Sequence, residues 1–71
     1  MPLTLKEHRQ QAHISARELA SKSGISLVTI RRIESGKYKH IKPLTMQNIS
    51  NALNVHVNEI AQFAPFSREM R

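Results

Sequence analysis

Ser15–Gly36, SARELASKSGISLVTIRRIESG, is the stretch on which the fold turns. Its first four residues, Ser15-Ala16-Arg17-Glu18, spell a capping box. In that arrangement the serine hydroxyl accepts from the Glu18 amide while the Glu18 carboxylate reaches back to the Ser15 N–H. Leu19 and Ala20 then face inward, and Gly24 stops the helix at a left-handed position that favours glycine. Ser26 offers a second N-cap directly after Ile25. Ile30 and Ile33 share one face of the helix that follows, and Ser35-Gly36 closes it. The spacing predicts two short helices joined by a tight glycine-containing turn. Ala20 is small enough for a close helix crossing, and Gly24 supplies the backbone freedom the turn requires.

Working outward, a first helix is expected from Leu5 to His13, with Thr4 as N-cap and Leu5 and Ala12 on its inner face. After Gly36 comes a basic loop, Lys37-Tyr38-Lys39-His40-Ile41-Lys42. Pro43 suits the first position of the next helix, with Thr45 as an alternative cap. Met46, Ile49, Ala52 and Leu53 form an apolar stripe at helical spacing, and Asn54 can take the left-handed stop. Val57, Ile60 and Ala61 predict a fifth short helix ending near Phe63 or Ala64, before Pro65. Apolar residues recur at helical rather than alternating spacing throughout. The expectation is therefore an all-α, compact five-helix bundle: one domain over 1–64 and a C-terminal tail over 65–71. Residues Phe66 to Arg71 are expected to order against a partner.

Composition narrows the function. Seventy-one residues without cysteine allow one small domain and exclude disulfides, thiolate-bound zinc and thiol catalysis. No apolar run approaches a membrane span, and Met1 to Arg9 lacks the apolar stretch of a secretory signal, so a cytoplasmic location is expected. Eleven Lys and Arg against five Asp and Glu give a net charge of +6. The excess is local: Arg31, Arg32, Lys37, Lys39 and Lys42 are opposed only by Glu34, whereas Pro43 to Gln62 holds a single charged residue, Glu59. A solubilising surface interleaves both signs. A concentrated basic segment is instead the electrostatic footprint of a polyanion binder.

Two short helices joined by a glycine turn are the helix-turn-helix signature. Arg17-Glu18-Leu19-Ala20, Gly24-Ile25-Ser26 and Thr29-Ile30-Arg31-Arg32-Ile33-Glu34-Ser35-Gly36-Lys37 resemble the Cro/C1-type helix-turn-helix family of phage repressors and bacterial regulators. The resemblance covers about residues 5 to 61, including Ala52-Leu53-Asn54-Val55. It implies a lambda-repressor-like DNA-binding domain, an origin in a phage, plasmid or similar mobile element, and a structural ion pair between Arg9 and Glu34. The chain departs from the family pattern in several places. Ala16 stands where the family often has a backbone-binding glutamine, with Arg17 next door to compensate. His8 and Ser23 stand at positions usually apolar, Asn54 replaces the usual glycine, and the Lys37–Lys42 loop is slightly long.

In this motif the N-terminal part of the second helix meets base edges. With Ile30 and Ile33 turned inward, the base-reading set is Ser26, Leu27, Val28, Arg31 and Arg32. Arg31 can offer its guanidinium fork to guanine O6 and N7. Leu27 and Val28 suit a thymine methyl; the alternative is that one of them packs beneath the basic loop. Arg32 reaches either a base or a phosphate. Thr29 either donates to a phosphate or caps its own helix. Lys37, Lys39 and Lys42 are assigned to the DNA backbone, where they position without specifying. Tyr38 either adds a phenolic hydrogen bond there or covers the core edge. Ser15 and Arg17, at the N-terminus of the first helix of the pair, complete the backbone set.

The expected partner is double-stranded DNA, bound by a homodimer on a palindromic operator as a repressor or a dual-acting controller. A single module of this size covers only roughly 600–1,000 Å² of protein surface on DNA, so selective binding by a monomer is expected to be weak. The candidate dimer interface is Val57, Ile60, Phe63 and Phe66, with Phe63 and Phe66 preferred, since Val57 and Ile60 are equally suited to closing the core. His8 and His13 fall on different helix faces and His40 and His56 in different elements, so neither a metal site nor a cofactor is expected. No nucleophile–base set is visible, and the chain is not read as an enzyme. Two rivals have distinct signatures. An antitoxin or coactivator-like protein-interaction module would present the apolar C-terminal segment to a protein partner and have no use for the basic face. An architectural or excision factor would bend DNA.

Overall fold

A computed structural model describes residues 2–66. The described residues form four α-helices: α1 (Leu5–Gln11), α2 (Ala16–Ser23), α3 (Leu27–Glu34) and α4 (Pro43–Leu53), followed by a 3-10 turn over Val57–Glu59 and another 3-10 turn over residues 64–66. The fold is all-helical, but the expected fifth helix is only the Val57–Glu59 turn. The reason is non-local. Ile60 leaves the turn with an extended backbone (φ −102°, ψ 122°) and forms a parallel β-bridge with Leu3. The Ala61 N–H donates to the Leu3 carbonyl at 2.8 Å, and the Leu5 N–H to Gln62 Oε1 at 2.9 Å. Backbone committed to pairing with the other end of the chain cannot continue a helix.

Polar side chains start the first three helices. Thr4 and Glu7 form a capping box on α1, Ser15 and Glu18 another on α2, and Ser26 accepts from the Thr29 N–H on α3. The backbone N–H and the hydroxyl of Thr4 hold the Glu7 carboxyl below its ordinary pKa. Helix α4 begins instead with Pro43, whose missing N–H costs nothing there. Left-handed residues end all four: His13 (φ 58°) after α1, Gly24 (φ 72°) after α2, Gly36 (φ 76°) after α3 and Asn54 (φ 58°) after α4. After α1, α3 and α4 the following amides fold back onto the last turn, as in Lys37 N–H to Arg32 O at 2.9 Å and Val55 N–H to Ser50 O at 3.0 Å. This corrects the expected course of α1, which ends at Gln11. His13 turns the chain instead of extending the helix, and Ala12 is exposed rather than core-facing.

The core gathers Leu5, Leu19, Ile30, Ile33, Ile41, Met46, Ile49, Ile60 and Phe63, all buried. Every helix contributes, so none buries its apolar face alone. Two of the proposed dimer residues are thereby corrected. Ile60 and Phe63 are fully enclosed within their own chain and have no surface to offer a second copy. Phe66 and Val57 are partly buried and pack on the same core. Of the 65–71 tail, residues 67–71 lie outside the described residues. The two polar departures find partners. The Ser23 hydroxyl donates to the Leu19 carbonyl at 2.7 Å, and His8 Nε2 lies 2.6 Å from the Glu59 carbonyl.

Candidate nucleic-acid interface

Helix α3 is presented by what holds its other side. Ile30 and Ile33 are buried against the remaining helices, which fixes the rotation of α3 about its axis. Arg9 then fixes its end. Arg9 Nε donates to Glu34 Oε2 at 2.8 Å and Nη2 to Oε1 at 3.1 Å, while Nη1 donates to the Ile14 carbonyl at 3.1 Å. The two side chains are only 14% and 13% exposed, and hydrogen bonding to Glu34 raises the Arg9 pKa further. One guanidinium thus ties α1, the α1–α2 connection and the last turn of α3 together.

The face of α3 opposite Ile30 and Ile33 is open. Ser26, Val28, Arg31 and Arg32 are exposed, and Val28 keeps 59% of its surface in solvent. Val28 therefore does not pack beneath the basic loop. Leu27 and Thr29 are half-buried. Thr29 serves its own helix: the Ser26 hydroxyl donates to Thr29 Oγ1 at 2.8 Å and the Thr29 N–H to Ser26 Oγ at 3.2 Å.

The loop after α3 alternates anchors and cations. Ile41 is buried and Tyr38 packs on the core, which leaves Lys37, Lys39 and Lys42 exposed. Tyr38 therefore does cover the core edge. A cleft of about 410 Å³ opens between the loop, α3 and the start of α4. Its lining brings together Thr29, Arg32, Lys37, Tyr38 and Lys42 from the expected set, and adds His40 and Thr45. Sequence reading gave these last two no role in binding. Thr45 falls one turn inside α4, beside Lys42, and that proximity is the signal that could have found it. Arg31 and Lys39 are exposed and do not line the cleft.

Ser15 and Arg17 sit at the start of α2 and do not line that cleft. The Ser15 hydroxyl accepts from the Glu18 N–H at 3.0 Å, and the Ser15 N–H donates to the Glu18 carboxylate at 3.0 Å. With that carboxylate in place, Arg17 is the cation available to an anion there. Among the described residues no group of three or more His, Asp or Glu could hold a metal ion, and no helix is long and apolar enough to cross a membrane.

Residues 5–60, most of the chain, match the model of a family described as helix-turn-helix. No curated protein and no solved structure gives a match.

Proposed function

Because the chain belongs to the Cro/C1-type helix-turn-helix family of DNA-binding transcription regulators, we propose that it is a sequence-specific repressor that sets α3 in the major groove of its operator. One observation carries the reading. On a single eight-residue helix, Ile30 and Ile33 are buried while Val28, Arg31 and Arg32 are exposed, and Lys37 and Lys42 share a cleft with Arg32. Arg31 and Arg32 supply guanidinium forks for guanine, and Val28 and Leu27 supply apolar contact for thymine methyls. Ser26 lies at the helix start, nearest the groove floor. Lys37, Lys39, Lys42 and Arg17 neutralise phosphates, with Thr29, Tyr38 and Ser15 adding hydroxyls.

The operator in this proposal is palindromic, read by two copies with half-sites about one helical turn apart. With Ile60 and Phe63 inside the core, the dimer contact must use other residues. Leu44, on the outer side of α4, is 70% exposed, and α4 carries no charged residue. In a protein of net charge +6, an uncharged face is where two copies approach with least repulsion. Selection of bound sites from a random duplex pool tests the proposal. A short inverted repeat containing guanine in each half supports it, whereas recovery of unselected sequence removes sequence-specific recognition.

A further inference from the structure

The basic loop owes part of its shape to a residue far along the chain. Between the buried Ile41 and the exposed Lys39, the His40 ring meets the ring of Phe66 edge-on, with centroids 5.9 Å apart and planes at 83°. Such T-shaped contacts are the favoured geometry of aromatic pairs. Phe66 is itself anchored: its N–H donates to the carbonyl of the fully buried Phe63 at 2.9 Å, and its side chain packs on the core. His40 also lines the cleft shared by Arg32, Lys37 and Lys42. Phe66 therefore stands behind the wall that presents these cations, although 24 positions beyond Lys42 in sequence.

We propose that Phe66 is a positioning residue for DNA binding: it holds the Lys37–Lys42 loop in its phosphate-contacting form through His40, and it does not serve the dimer contact expected from sequence. The inference rests on the DNA-binding reading. A loop already held in its bound shape loses less conformational freedom on binding than one that must be ordered by the ligand. The loop carries no regular secondary structure, and the ring contact at His40 adds to the anchors that Tyr38 and Ile41 make on the core. Loss of the ring contact leaves the lysines present but less well placed, so the effect falls on sequence-independent affinity.

The test uses the full chain and a random-sequence duplex, with affinity measured by fluorescence anisotropy across a salt series. Phe66→Ala is expected to weaken binding roughly tenfold and to lower the slope of log affinity against log salt by about one. Phe66→Tyr, which keeps the ring, is expected to restore both. His40→Ala reproduces the loss, and the double variant is no worse than either single one. Sedimentation of Phe66→Ala matches that of wild type. His40 is exposed, so His40→Ala remains a folded probe even if Phe66→Ala unfolds. An unchanged salt slope in His40→Ala overturns the inference, as does a Phe66→Ala defect that tracks a shift to monomer. Wild-type protein that fails to bind any duplex defeats the DNA-binding reading itself. Wild type that binds while the variants bind equally well defeats only the role of Phe66.

Discussion

The Ser50 hydroxyl is fully enclosed on the inner side of α4 and has no hydrogen-bond partner among the described residues. A buried hydroxyl left unsatisfied costs about 1–3 kcal/mol. Ser50→Ala is therefore expected to stabilise the domain by about 1 kcal/mol, helped by the better helix propensity of alanine. Thermal unfolding by circular dichroism checks this, with a midpoint rise of about 4–8 °C expected for a domain of this size. Ser23 is the opposite case, since its hydroxyl is satisfied by the Leu19 carbonyl. On α3 the same residue-level accounting separates Ile30 from its neighbour Arg31: one is enclosed, the other free to meet a ligand.

At the scale of elements, position depends on a few joints. The Arg9–Glu34 pair joins α1 to the end of α3 with two hydrogen bonds from one guanidinium, in surroundings that exclude most water. Removing one partner strands the other, so Glu34→Ala is expected to cost about 3 kcal/mol in urea unfolding. A paired replacement, Arg9→Met with Glu34→Leu, is expected to cost less than Glu34→Ala alone; an equal or greater loss contradicts the ion-pair account. Helix limits set by local chemistry were legible in the sequence. Thr4, Ser15 and Ser26 start helices and Gly24, Gly36 and Asn54 stop them through bonds within a few residues, and Pro43 starts α4 through its fixed φ and missing N–H. Limits set by distant contacts were not. The bridge from Leu3 to Ile60 cuts the expected fifth helix to one turn, and the enclosure of Phe63 depends on the whole core. His13 was missed for another reason: histidine is among the residues enriched at positive φ, but it marks a turn far more weakly than glycine does. The open face of α3 was legible because Ile30 and Ile33 fix its rotation. The cleft at His40 and Thr45 was not, since it forms only once α4 packs beside the loop.

The whole molecule is a basic body of 28 × 22 × 19 Å in which Lys37 and Lys42 share a cleft with Arg32 of α3, while α4 bears no charge. On the proposed function, that asymmetry leaves the basic face to DNA and α4 to a second copy. Leu44→Glu is expected to abolish cooperative filling of a two-half-site duplex while leaving single half-site affinity within about twofold, since Leu44 makes no proposed DNA contact. Quantitative gel shift on both duplexes checks it, and unchanged cooperativity moves the dimer contact elsewhere. The central claim is that the exposed side of α3 reads base edges from the major groove, and methylation interference on a selected duplex tests it most directly. Methyl groups at guanine N7 in each half-site are predicted to block wild-type binding, with one such position losing its effect in Arg31→Ala. Interference confined to adenine N3, in the minor groove, or absent from both grooves, would contradict the account.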